Sequence, residues 1–89
     1  NFQGPIATAA CIAVGTSSIS WDVQESVEED VPPRRDMTDE IIKLEDGWYY
    51  PSEKPGLGLI FNEDAPSKHP FDPANYPPPI KDDGSVGLK

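Results

Sequence analysis

Nine consecutive residues, Ile6-Ala7-Thr8-Ala9-Ala10-Cys11-Ile12-Ala13-Val14, constrain this chain more than any other stretch. Gly4-Pro5 in front of them opens a helix, because the N–H that proline lacks would be unpaired at the first helical position in any case. Only Thr8 interrupts the apolar run, and a helix apolar on every side belongs in an interior rather than on a surface. Gly15 is placed to stop it and Thr16–Ser18 to turn the chain, so the helix is expected over 5–15. Its four alanines let neighbouring elements approach closely. Cys11 reads most simply as a small core residue, with a reactive thiol as the alternative.

The next stretch changes period. Ile19, Trp21 and Val23 alternate with Ser20, Asp22 and Gln24, which predicts a strand over 18–26 whose apolar face ends in Glu25. A carboxylate closing an apolar face is costly to bury unless it is paired or used. Glu25 therefore lies either just beyond the strand, in water, or at the end of a strand that delivers it to a site. Helix, short turn and strand make half of a βα repeat, and the sheet must be completed by other segments. In a barrel of such repeats, the C-terminal ends of the strands face the active site.

After Ser26 the character shifts. Glu28, Glu29 and Asp30 precede Pro32-Pro33, Arg34, Arg35 and Asp36. Three adjacent carboxylates without spacing read as a solvated loop rather than a metal site, and they divide the chain into parts at 1–30 and 31–89. Residues 39–44 suit a short helix or the start of a strand. Glu45-Asp46-Gly47 is a turn before the β-prone Trp48-Tyr49-Tyr50, and Pro51–Gly58 is a second turn region. Leu59–Phe61 reads as a strand, and Asn62 as the cap of a helical turn near Glu63. Six prolines from Pro66 onward predict an irregular tail lying on another surface, with Phe71, Tyr76 and Ile80 as its anchors. His69, between Lys68 and Pro70, has no partner or pocket legible in sequence and is not expected to be catalytic.

Bulk properties exclude several function classes. A formal charge of −9 leaves no basic stripe for nucleic acid or an anionic membrane. No apolar run approaches the roughly 20 residues of a membrane span. A lone cysteine offers neither an intrachain disulfide nor a thiolate metal cage, so a reducing cytoplasmic setting is expected. Eighty-nine residues with 36% hydrophobic content and 11 prolines make a thin core. With Asn1 first and Met37 the sole methionine, the chain is expected to be either processed or a piece of something longer, and one apolar helix, one strand and a Pro-rich tail suit the second better.

Three stretches together resemble the C-terminal end of the enolase superfamily, and within it the sugar-acid dehydratases of the mannonate and galactonate dehydratase kind. Gly4–Ala10 is similar to the helix after the seventh barrel strand, and Trp21–Glu25, ending Gln24-Glu25, to the last strand. Most specific is Asp46-Gly47-Trp48 followed by Lys54-Pro55-Gly56-Leu57-Gly58 and Glu63. Lys68-His69-Pro70-Phe71 and Asp82–Val86 look like the dehydratase branch in particular.

The resemblance implies an α/β fold: the last helix and strand of a modified TIM (β/α) barrel, plus an extended segment returning to an α+β capping domain. It implies a lyase that removes the proton α to a sugar-acid carboxylate and eliminates the β-hydroxyl, leaving a 2-keto-3-deoxy acid. Mg²⁺ would be held by acidic residues on middle strands that this chain lacks, and the acid/base histidine would lie just upstream of Asn1. One functional position maps here. Glu25 matches the strand-eight carboxylate that hydrogen-bonds the substrate and supports developing charge. The expected partners are the remainder of the same enzyme, commonly a homo-oligomer, and a sugar acid; the piece alone should be inactive. Asp22, on the outward face, and the acidic loop after Ser26 depart from the pattern. The alternatives are another superfamily reaction, a racemase or lactonising enzyme, or a non-catalytic acidic Pro-rich binding module.

Overall fold

Helix α1 spans Pro5–Ser17 in a computed structural model that describes residues 3–71 and 80–87. Pro5 stands in the first turn, and the Gly4 carbonyl accepts from the amides of Ala7 at 3.0 Å and Thr8 at 3.2 Å. The helix runs two residues past the expected end because Gly15 does not break it. Thr16 and Ser17 hydroxyls donate back to the carbonyls of Ile12 and of Ala13 and Val14, which closes the last turn instead. Gly15 serves close approach: a Cβ there would stand 2.6 Å from Cε2 of Trp21, so the indole lies directly on the helix backbone.

Residues 18–26 are not a strand here. A turn closes from the Trp21 amide to the Ser18 carbonyl, and residues 21–28 carry no ladder hydrogen bonds. The physical reason is the lack of a neighbour. A strand is stabilised by cross-strand pairing, and the described residues offer this segment no adjacent strand. Ile19 is fully exposed and Val23 is 81% exposed, so the alternation is present without the surface it would pack against.

The sheet that does form is a hairpin. Strand β1, Leu44–Glu45, pairs antiparallel with β2, Trp48–Tyr49, with Leu44 opposite Tyr49 and Glu45 opposite Trp48. Asp46 at φ 51° and Gly47 at φ 81° make the two-residue connection, as the Asp-Gly pair implies for a turn of this hand. A Cβ on Gly47 would meet nothing, so the position is limited by backbone alone. Gly47→Val is therefore expected to destabilise the full-length protein by about 1–2 kcal/mol, read by chemical denaturation.

Of residues 39–44, only Leu44 joins a strand. Leu59–Phe61 contributes a single bridge, Phe61 to Thr38, flanked by Asp39 N–H to the Ile60 carbonyl at 3.0 Å and Asn62 N–H to the Met37 carbonyl at 2.9 Å. Asn62 does organise the turn after it. Its Oδ1 accepts from the Asp64 amide at 3.2 Å while its Nδ2 donates to the Asp36 carbonyl at 3.0 Å. Helix α2, Ala65–Lys68, follows, with Ala65 wholly buried. In the tail Ile80 bridges Val86 around a turn at Gly84. The hydroxyl of Ser85, then its amide, donates to Asp83 and holds that carboxyl below its ordinary range. Phe71 and Ile80 are exposed rather than anchored, and Tyr76 lies outside the described residues.

The result is a small mixed α/β arrangement with very little interior. Ala9 and Ala65 are the buried hydrophobic residues among those described. The accessible surface is 7299 Å², against about 5,100 Å² for a compact monomer of 9.7 kDa. The radius of gyration is 16.3 Å, against about 12 Å for a compact chain of this length. Helix α1, expected to be covered on all sides, leaves Ile6 and Val14 open to solvent.

Candidate functional site

Glu25 is exposed, on the segment that leaves the C-terminal end of α1. Its carbonyl accepts a 2.6 Å hydrogen bond from the Gln24 side chain. Beside it a cavity of about 510 Å³ separates the end of α1 and residues 21–26 from the β1–β2 hairpin. Trp21, Trp48 and Tyr49 supply its aromatic walls, and Asp22 and Gln24 its polar ones. Glu25 is not part of that lining. Gln24 Oε1 and the Tyr49 hydroxyl are buried there without a hydrogen-bond partner, an arrangement that native interiors seldom leave standing.

The acidic run is not the uniformly solvated loop that its composition suggests. Glu28 and Asp30 are exposed, but Glu29 is buried. Thr8 donates to Glu29 Oε1 at 2.6 Å, Arg34 Nε to Oε2 at 3.0 Å and Arg34 Nη2 to Oε1 at 3.1 Å. Arg34 Nη2 also donates to the Gln3 carbonyl. Both carboxylate oxygens are thus occupied and the charge is met by a forked guanidinium, which is what makes burial of Glu29 tolerable. The same contacts explain Thr8, the one polar residue of the apolar stretch. That interruption, with an arginine five residues after the glutamate, was the available sequence signal.

His69 does have a partner. Its Nε2 lies 2.7 Å from Asp36 Oδ2, tying the end of α2 to the single 3₁₀ turn at Arg34–Asp36. Residues 33 apart carry no local sign of this pairing. Both side chains are partly exposed, and the pair ties two turns together. Lys54 and Glu40 form a surface pair, and its hydrogen bond holds the lysine ammonium above its ordinary range.

Among the described residues no three His, Cys, Asp or Glu side chains converge on a point that could hold a metal ion. The described residues do not by themselves fit an Mg²⁺ centre. No described helix is long and apolar enough to cross a membrane.

No protein-family model matches the chain, and no solved structure does. Curated proteins do. The chain is 30% identical over 86 residues to a D-galactonate dehydratase family member of Pseudarthrobacter chlorophenolicus, a match covering 92% of this chain and 20% of that relative. It is 29% identical over 82 residues to a D-mannonate dehydratase of Caulobacter vibrioides, with the same coverage. A D-galactonate dehydratase family member of Chromohalobacter salexigens is 27% identical over 91 residues, covering 97% of this chain and 22% of the relative. The chain thus spans about a fifth of the length of the curated relatives it matches. Almost the whole of this chain is thus similar to one fifth of proteins named as galactonate and mannonate dehydratases.

Proposed function

We propose that this chain is the C-terminal segment of an Mg²⁺-dependent sugar-acid dehydratase, supplying the last helix and last strand of a (β/α) barrel and the stretch that returns to a capping domain. The observation that carries this reading is the match of 92% of the chain to a fifth of relatives named as galactonate and mannonate dehydratases. The surface agrees with it. Ile19 and Val23, Ile6 and Val14 stand open on the two elements that a barrel would cover with neighbouring strands and helices.

In the complete enzyme, the proton on the carbon α to the substrate carboxylate is removed and the β-hydroxyl departs as water. The enol that remains becomes a 2-keto-3-deoxy acid. Glu25, at the C-terminal end of residues 18–26, hydrogen-bonds the substrate and supports the charge that develops during proton removal. The metal ligands come from the remainder of the enzyme, and no step is assigned to the metal through this chain. A cytoplasmic, homo-oligomeric enzyme is part of the same proposal.

The test is product analysis of the full-length protein with D-mannonate and D-galactonate, with Mg²⁺ and after chelation. Formation of a 2-keto-3-deoxy acid that stops on metal removal is the expected result. Hydrogen exchange at C2 without loss of water would place the protein among racemases instead. No reaction with any aldonate would reject the enzyme reading.

A further inference from the structure

The segment carrying Glu25 is attached to α1 at two places, one before and one after it. Before it, the Trp21 indole rests on the backbone at Gly15, near the C-terminal end of the helix. After it, Glu29 is bound by Thr8 near the N-terminal end and by Arg34, which also reaches the carbonyl of Gln3 ahead of the helix. Thr8 and Gly15 are about 10 Å apart along the helix axis, whereas the eight steps from Trp21 to Glu29 can span about 26 Å. The segment has slack, so fixing its two ends narrows the range of positions open to Glu25.

We propose that Glu29 and Arg34 are positioning residues for Glu25, holding the exit of its segment against the start of α1. This rests on the role given to Glu25 above. The construction suits positioning better than it suits chemistry. The Glu29 side chain is 5% exposed and that of Arg34 is 16% exposed, and both carboxylate oxygens are taken. The neighbouring Arg35–Asp30 pair, at 3.2 Å with both side chains exposed, lacks these features and serves as the comparison.

The experiment uses the full-length protein and three variants, Glu29→Gln, Thr8→Val and Arg35→Gln. Each is measured for kcat and KM per folded enzyme, well below its melting temperature. Amide hydrogen exchange over residues 22–28 is read in parallel. Glu29→Gln keeps the shape and removes the charge, and is expected to lower kcat about 10- to 100-fold with KM changed less than about threefold. Thr8→Val, which removes one bond and leaves the ion pair, should lower kcat several-fold and serves where Glu29→Gln does not fold. Arg35→Gln should match wild type. Exchange over 22–28 should rise about tenfold in the first variant. Wild-type kcat with only a lowered melting temperature would overturn the proposal, since a merely structural tie moves stability alone. If wild-type protein turns over no aldonate, the Glu25 reading fails by itself. The exchange measurement then still decides whether Glu29 holds the segment, and unchanged exchange rejects it.

Discussion

Glu25→Gln in the full-length enzyme is expected to lower kcat by about 10²- to 10³-fold while leaving KM within about threefold. The argument is one of shape against charge. A carboxamide occupies the same volume and keeps the 2.6 Å bond that the Glu25 carbonyl accepts from Gln24, so the backbone has no reason to move. What is removed is the carboxylate, whose contribution, in the role proposed for it, would be made where charge develops on the substrate rather than in the ground state. Interactions of that kind are lost from kcat, with KM nearly unaffected. In this chain Glu25 is open to water, where electrostatic effects are weak, and the expected magnitude holds only once neighbouring segments exclude solvent. A variant within threefold of wild type in kcat would remove Glu25 from the chemistry and leave the chain a structural segment of the enzyme.

Arg34→Met is expected to destabilise the full-length protein by about 3–5 kcal/mol, measured by chemical denaturation. The guanidinium neutralises a carboxylate that is 5% exposed and makes two of the three hydrogen bonds it accepts. Methionine fills much of the volume but leaves Glu29 buried with one bond, from Thr8. An uncompensated buried charge is among the few single changes that reach this size. Lys54→Met is the contrasting case. Its partner Glu40 is equally exposed, and water replaces the pair at little loss. No measurable change in the denaturation midpoint is expected for it. If Arg34→Met proved as mild as Lys54→Met, Glu29 would not be buried in the assembled protein.

How much of this was legible depended on whether the cause was local. Gly4-Pro5 followed by an apolar run marks a helix start within a few residues, and α1 begins at Pro5. Asp46-Gly47 before an aromatic run specifies a hairpin because the two positive φ values it needs suit those two residues. Asn62 was readable for the same reason, its side chain bonding the backbone two residues on. Gly15 was readable as special but not in its manner, since the Trp21 ring above it is a tertiary contact. The strand over 18–26 is a different kind of miss. Its alternation is real, but strand formation needs a partner that the described residues do not supply. Glu29 was hidden by its neighbours: Glu28 and Asp30 are solvated, and one-dimensional composition cannot separate the middle carboxylate from the outer two. The bond between His69 and Asp36, 33 positions apart, has no signature short of the fold. Glu25 itself was selected by strand phase and by resemblance. In the structure Glu25 is exposed, and its neighbours Gln24 and Ser26, not Glu25 itself, line the aromatic-walled cavity.

The most direct test of the central claim, that this chain is one segment of a larger dehydratase, is an intact-mass measurement under denaturing conditions on the protein isolated from its native source. The account predicts a single polypeptide containing this sequence and about five times as heavy as these 9.7 kDa, as expected where the chain is a fifth of its relatives. A mature species of 9.7 kDa, unaccompanied by any second polypeptide, would contradict it. Glu25 would then have no barrel to serve, and the exposed faces of α1 and residues 18–26 would need another explanation.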